Sequence, residues 1–205
     1  MKREKIYLMS CSSTLSTGIA VGPKWIIQPR EQIEALEKLD KVPFDFTLKK
    51  LGRVKGRISY NDNFSHVKVI WPDFQPNDKG WMLCSERLKV LIDAHLKGGE
   101  SFKWISCDII YGEERRLYYI PLFMKETDVL NLEKSLYYEA GNERFLIKPV
   151  FSQAKVQAYN IFSVPIDSYP FWRLKYSAYV REELKKAICD AGMIGMVFER
   201  VAVSD

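Results

Sequence analysis

The chain has 205 residues, a net charge of +5, and 47% hydrophobic and 13% aromatic content, enough for one large core or two small ones. No window approaches the roughly 18 to 20 apolar residues of a membrane-spanning helix. Four cysteines, Cys11, Cys84, Cys107 and Cys189, lack C-x-x-C or zinc-like spacing, so they read as reduced thiols and favour the cytoplasm.

Lys2, Arg3 and Lys5 precede Ile6 to Cys11, but the apolar stretch of about four residues is short of the roughly seven of a working export signal. It reads instead as a first strand. Residues 10–18 form a Ser-, Thr- and Gly-rich loop. Pro29 opens a helix that carries Ile33, Leu36 and Leu39 on one face. Residues 1–60 hold 12 Lys+Arg against 6 Asp+Glu, while the rest of the chain is nearly balanced. The excess sits in Lys49, Lys50, Arg53, Lys55 and Arg57. Such a cluster is a solvated turn, or a surface for an acidic protein or, with Tyr60 and Phe64, for nucleic acid.

Residues 55–60 and 67–71 alternate as two strands around Asn61, Asp62 and Asn63. Residues 72–80 read as a loop, and a boundary near 74–80 would divide the chain into 1–75 and 80–205. Residues 117–124 form a strand with Tyr118, Ile120 and Leu122 on one side. Residues 128–138 fit a short helix or irregular structure, and 143–149 and 158–164 fit strands. Pro165 and Pro170 break regular structure before residues 172–175.

A phrase occurs twice. Cys84-Ser85-Glu86-Arg87-Leu88-Lys89 with Ile92 and Phe102 matches Val180-Arg181-Glu182-Glu183-Leu184-Lys185 with Ile188 and Phe198, without a gap. Each copy reads as strand end, helix, turn and strand. Ser85 is a candidate N-cap and Gly192 a left-handed C-terminal cap. Each helix is too short to persist alone and must bury its apolar stripe on a sheet. The expected class is α+β, with a mixed or antiparallel sheet, a few packed helices and two similar helix-turn-strand units.

No motif points to a cofactor, a metal or catalysis. His66 and His95 lack partner spacing. Ser10, Ser12, Ser13 and Ser16 lack a nucleophile elbow. Gly18 and Gly22 lack the G-K-[ST] of a phosphate loop. Glu113 and Glu114 lie beside Arg115 and Arg116 and read as mutually neutralised. Trp71, Phe74 and Trp81, like Tyr137, Tyr138, Phe171 and Trp172 farther on, flank Pro-containing loops and serve either as exposed interface anchors or as core.

The stretch Phe171-Trp172-Arg173-Leu174-Lys175, the phrase from Tyr179 to Ile188, Ala191-Gly192-Met193-Ile194-Gly195 and Phe198-Glu199-Arg200-Val201 together resemble the C-terminal end of a bacterial family, the immunity proteins of polymorphic toxin systems. Cys84 to Lys89, Tyr118 to Leu122 and Asp128 to Ser135 are similar to its internal phrases. The resemblance covers about residues 80–205. Arg181 departs where the family has Ser, and Pro121 where it has Asn. The resemblance implies a non-enzymatic cytoplasmic protein that binds a cognate toxin domain, without cofactor or membrane. Lys49, Lys50, Arg53, Lys55, Arg57, Trp71, Phe74 and Trp81 are the candidate contact residues. A nucleic-acid module using Lys49 to Arg57 is the alternative.

Overall fold

The computed structural model describes residues 4–12, 18–24, 29–54, 57–64, 68–141, 143–165, 170–175 and 177–205. In chain order the elements are β1 (Ile6–Cys11), β2 (Ile19–Val21), α1 (Pro29–Glu37), β3 (Phe46–Val54), β4 (Arg57–Asn61), β5 (Phe74–Gln75), β6 (Leu83–Ser85) and α2 (Glu86–Asp93). They continue with β7 (Phe102–Tyr111), β8 (Glu114–Phe123), β9 (Leu136–Ala140), β10 (Glu143–Lys148), β11 (Val150–Ser152), β12 (Ile161–Phe162), β13 (Ser177–Arg181), α3 (Glu182–Asp190) and β14 (Met196–Ser204). Strand dominates, with three α-helices among the described residues.

Both copies of the repeated phrase form the same unit. β6 and β7 run parallel to each other with β8 between them and antiparallel to both. β13 and β14 flank β1 in the same way. Each unit is thus a strand–helix–strand crossover split by a third strand. The likeness extends outward. The first sheet contains the order β5-β6-β8-β7-β3 and the second is β12-β13-β1-β14-β11. The last pairing is parallel in both, which sets Phe46 opposite Ile109 and Phe151 opposite Val203. Phe46 and Phe151 are both fully buried.

Read along the chain, residues 4–111 and 114–204 are two halves with one element order. In each half the first strand leaves for the other half's sheet: β1 completes the second sheet and β8 the first. The halves are joined by the two-residue turn 112–113, tight enough to need the positive φ of Gly112 (58°) between the paired Tyr111 and Glu114. Residues 1–75 supply strands to both sheets, and β5 pairs with β6. The division expected near 74–80 therefore falls inside a sheet.

Register corrects the sequence match in one respect. Ser85 faces Tyr118, which faces Cys107, whereas Arg181 faces Ile6, which faces Val201. The first unit thus uses two more residues between helix and strand. The structural counterpart of Phe198 is Trp104, not Phe102. Cation–π contacts confirm it: Lys89 Nζ lies 5.6 Å from Trp104 and 5.5 Å from Tyr119, and Lys185 Nζ lies 5.8 Å from Phe198 and 4.0 Å from Tyr7.

Side-chain alternation feeds three cores. Leu88 and Ile92 of α2 and Leu184 and Ile188 of α3 share one cluster with Met82, Cys84, Met9 and Val180 from both sheets. Leu83, Ile105 and Ile120 turn to the other face of the first sheet, under Ile33 and Leu36 of α1. Ile6, Phe151 and Val203 line the other face of the second sheet.

Two polar braces lock the halves together, and they occupy equivalent positions. Asp73 precedes β5; its Oδ1 accepts from Ser85 Oγ (2.7 Å) and its Oδ2 from the Ile194 amide (3.1 Å). Ser85 Oγ also accepts from Leu88 N (3.2 Å), the expected N-cap. Asn160 precedes β12; its Nδ2 donates to His95 O (2.7 Å) and its amide to Glu100 Oε1 (2.6 Å). Arg181 stands at the counterpart of Ser85 and caps nothing with its side chain. Its guanidinium donates instead to Glu4 Oε2 (2.8 Å) and Asn160 Oδ1 (3.3 Å). Each brace thus ties the helix entry of one half to the helix–strand loop of the other.

Other expectations are revised. Of the strand expected over 55–60, residues 57–60 pair with 51–54 and not with 68–71, and residues 55–56 lie outside the described residues. Phe46 and Leu48 point into the core, and the adjacent Lys49 and Lys50 hide that alternation. Residues 158–164 divide into a 3-10 turn (Lys155–Ala158) and β12. Residues 128–135 are irregular and lead into β9.

A Cβ on Gly195, whose φ is 95°, would meet Phe74 O at 2.5 Å and Pro72 Cβ at 2.6 Å. Gly195→Ala should therefore lower stability by about 2 to 3 kcal/mol, combining backbone strain with overpacking of the brace. Thermal unfolding measures it, and an unchanged transition would remove the brace from the account of stability. Separately, a chain cleaved between Gly112 and Glu113 should still elute as one particle, because each fragment holds a strand of the other's sheet. Separation of the fragments without denaturant would contradict the exchange.

Candidate partner interface

Of the basic cluster, Lys49, Lys50 and Arg53 lie on β3 and Arg57 on β4. Lys49 Nζ is 2.8 Å from Asp62 Oδ1, so one of its cations is already paired. Lys50 is half-buried opposite Asn61, and Arg57 is exposed at the end of β4. Leu51 and Tyr60, paired across the hairpin, are 38% and 47% exposed. The side chain of Arg53, all of Lys55 and His66 lie outside the described residues.

The three aromatic candidates part company. Trp71 is half-buried; its Nε1 donates to Glu114 Oε2 (3.2 Å) and the Arg116 guanidinium lies 5.7 Å from its ring centre. Phe74 and Trp81, expected as contact residues, are 0% and 6% exposed. Phe74 enters the helix core and Trp81 packs edge-on to Phe46 at 6.0 Å. The segment 72–80 causes this: it bonds to β2 through Ala20 N to Pro76 O (2.8 Å) and Asp78 N to Ala20 O (3.0 Å). A Pro-containing stretch pinned at both ends presents its aromatics inward. Trp172 is buried likewise, and the side chain of Phe171 lies outside the described residues.

The remaining reactive types are engaged structurally. His95 Nδ1 is 2.8 Å from Leu91 O. Tyr118 donates its hydroxyl to Pro72 O (2.8 Å), and burial pushes its pKa up. Burial also raises the Cys11 thiol to about 12 and the Cys84 and Cys107 thiols well above their ordinary value, which leaves them poor nucleophiles. Glu114 pairs with Arg116, but Arg115 reaches away to Asp45 and Asp108. Among the described residues no group of three His, Cys, Asp or Glu could hold a metal. Among them, too, no helix is long and apolar enough to cross a membrane.

A different surface stands out in the structure. The β9–β10 hairpin pairs only with itself among the described residues. Opposite residues share a face, so Tyr138 and Phe145 point one way, with Leu136 two residues along and Ile147 at a bulge. Leu136, Tyr138 and Ile147 are 57%, 60% and 59% exposed. Tyr137 and Leu146 point the other way, where they wall a recess of about 330 Å³ together with Leu130, Leu132 and Pro165. Glu126 and Asp128 stand in its lining. The Arg144 guanidinium lies 3.7 Å from the Tyr137 ring centre. In this hairpin the sequence suggested exposure for Tyr137 and Tyr138, and of the two Tyr138 is the exposed one. Ile147 read as an ordinary strand apolar and Leu136 fell in a stretch read as short helix or irregular structure, and neither pattern says which face is covered.

The chain is a sheet-dominated α+β scaffold of two interlocked halves. It matches the model of the immunity protein family Imm11 over residues 16–203, and it belongs to that family. The match extends the likeness seen over 80–205 through most of the first half. No curated protein matches the chain.

One charged cluster gives a pH test of the scaffold beside the basic hairpin. Asp108, whose side chain is 8% exposed, accepts from Lys41 Nζ (2.7 Å) and Arg115 Nη1 (2.7 Å). The hydrogen bond from Lys41, reinforced by Arg115, holds its carboxyl below its ordinary value of 3.8 against the opposing effect of desolvation. A depressed carboxyl contributes stability that is present above its unfolded pKa and lost as pH falls through the folded one. Asp108→Asn should cost about 1 to 3 kcal/mol at pH 7, and the deficit should shrink as the pH falls below about 4. Denaturant midpoints at pH 7 and pH 3 measure it. A deficit that is constant with pH would show that the ion pairs contribute nothing.

Proposed function

We propose that the protein is a cytoplasmic immunity protein that neutralises a cognate bacterial toxin by binding it directly, one to one, without catalysis. The observation that carries the reading is the family match across residues 16–203. The physical frame is consistent with it. Two exchanged strands and two braces hold the surface in one shape, so little conformational freedom is lost on binding. A complex of this kind buries about 1,200 to 2,000 Å² in total and covers or distorts the toxin's active site. Unbridged thiols at Cys11, Cys84, Cys107 and Cys189 support a reducing compartment.

Expression of the toxin domain encoded beside this chain should arrest bacterial growth, and co-expression of this chain should restore it. The two purified proteins should co-elute as a one-to-one complex. Arrest that persists despite soluble, folded immunity protein would overturn the reading, as would rescue without any complex.

A further inference from the structure

The two halves serve as each other's control. What they share, the five-strand order, the helix and the brace, is accounted for by folding. They differ most between their first and second shared strands, at residues 12–45 and 124–149. The first insertion is spent on the interior: β2 pairs with β3, and Ile33 and Leu36 of α1 are 2% and 4% exposed. The second holds the β9–β10 hairpin and is turned outward. Among the described residues, five large apolar side chains are more than half exposed. Four of them, Leu132, Leu136, Tyr138 and Ile147, lie in this one insertion, and the fifth is Val90. Scattered exposed apolars need no explanation, but a cluster of this kind marks a contact surface.

We infer that the outward face of the β9–β10 hairpin, with the recess behind it, is the surface that grips the toxin. This rests on the immunity reading above. Its occupant is a face of the toxin domain with an apolar centre and a basic rim, one arginine or lysine of which enters the recess. The charges argue for this chemistry. Glu126, Glu133, Glu139 and Glu143 make no ion pair among the described residues. The nearby cations are partly committed: Lys155 Nζ is 2.7 Å from Asp128 and Lys134 Nζ 3.0 Å from Asp205 O. Lys125 and Lys148 make no such contact, which leaves four carboxylates against two lysines and the Arg144 that lies on Tyr137. The recess offers apolar walls for an aliphatic stem and the Glu126 carboxylate for its cationic head; Asp128, already bonded to Lys155, and Arg144, whose guanidinium lies on the Tyr137 ring, complete its lining. A second copy of the chain is the wrong occupant, because self-pairing would set this carboxylate-rich rim against itself.

The test is calorimetric titration of the neighbouring toxin domain into wild type and variants. Leu136→Glu with Tyr138→Glu should weaken binding by about 100-fold or more while leaving the thermal transition in place, since both side chains are exposed. Glu126→Lys with Asp128→Lys should weaken it about tenfold and lose part of its salt dependence. Lys50→Glu with Arg57→Glu, on the basic hairpin, should stay within about threefold of wild type. Where glutamate disturbs the hairpin, Tyr138→Ser with Ile147→Ser carries the same expectation in milder form. Hairpin variants that bind like wild type overturn the surface alone, as does a loss confined to the Lys50 and Arg57 variant. A wild-type chain that does not bind overturns the toxin reading and the surface with it. A dimer in sedimentation that the Tyr138 variants dissolve would assign the face to a second copy and overturn the inference.

Discussion

Neither sheet can close with strands from its own half. In each unit the two parallel strands on either side of the helix stand one strand apart, and the gap between them exposes a row of backbone donors and acceptors that must be satisfied. The gap in the first sheet is filled by β8 and that in the second by β1. Because each filler comes from the opposite half, the hydrogen bonding of either sheet requires both halves to be folded. The exchange also brings α2 and α3 into a single apolar cluster, which no half could bury by itself. The Asp73 and Asn160 braces follow from the same arrangement: they sit where the helix–strand loop of one half crosses the edge strand of the other, and their polar atoms satisfy one another at the seam. The family match begins at residue 16, yet the middle strand of the second sheet is Ile6–Cys11. The folding unit is therefore larger than the matched segment.

This constraint separates what is free to vary in shape from what is not. Close-packed cores on both faces of each sheet leave little room for local rearrangement. Side chains that carry the seam, such as Asp73, Arg181 and Gly195, are fixed by contacts to the other half. Of the insertions between the first and second strands of each half, the one over 12–45 shares that duty through Glu37, which pairs with Arg173 of the other half, whereas the one over 124–149 makes no ion pair across the seam among the described residues. Both insertions are attached to the frame at its periphery, β2 at the edge of the first sheet and the β9–β10 hairpin as a separate two-stranded sheet. A binding surface carried there would inherit the rigidity of the frame without compromising its closure.

The legible parts of the fold were those governed by local rules. The helices over residues 86–93 and 182–190 announced themselves through periodic leucines and isoleucines, and the Ser85 cap through its position before Leu88. β8 was plain from Tyr118, Ile120 and Leu122, all buried as their alternation requires. β3 was missed because Lys49 and Lys50 interrupt an alternation whose apolar members, Phe46 and Leu48, are buried. The two-residue offset between the units could not be read from an ungapped match, because strand register is set by the partner strand and that partner is not local. The exchange of β1 and β8 was illegible for the same reason: period-two patterning marks a strand but not its neighbour.

The site was less legible than the fold, and the reason is physical. A cluster of lysines and arginines is visible in any sequence, so Lys49 to Arg57 drew the expectation of a contact surface, and a Pro-flanked Phe74 or Trp81 looks like an anchor. Burial decided otherwise for the two aromatics, since the segment that carries them is bonded down at Ala20. An exposed leucine, tyrosine or isoleucine in a strand carries no local mark that distinguishes it from a buried one. Among the described residues β9 pairs with β10 and neither pairs with a third strand, which leaves Leu136, Tyr138 and Ile147 uncovered. Exposure of apolar area in water is unfavourable, about 25 cal/mol for each Å² left uncovered, and the other half's insertion avoids it by packing α1 inward. The same frame thus solves the same insertion in two ways, and the solution that leaves apolar surface outside is the one that burial against a partner would complete.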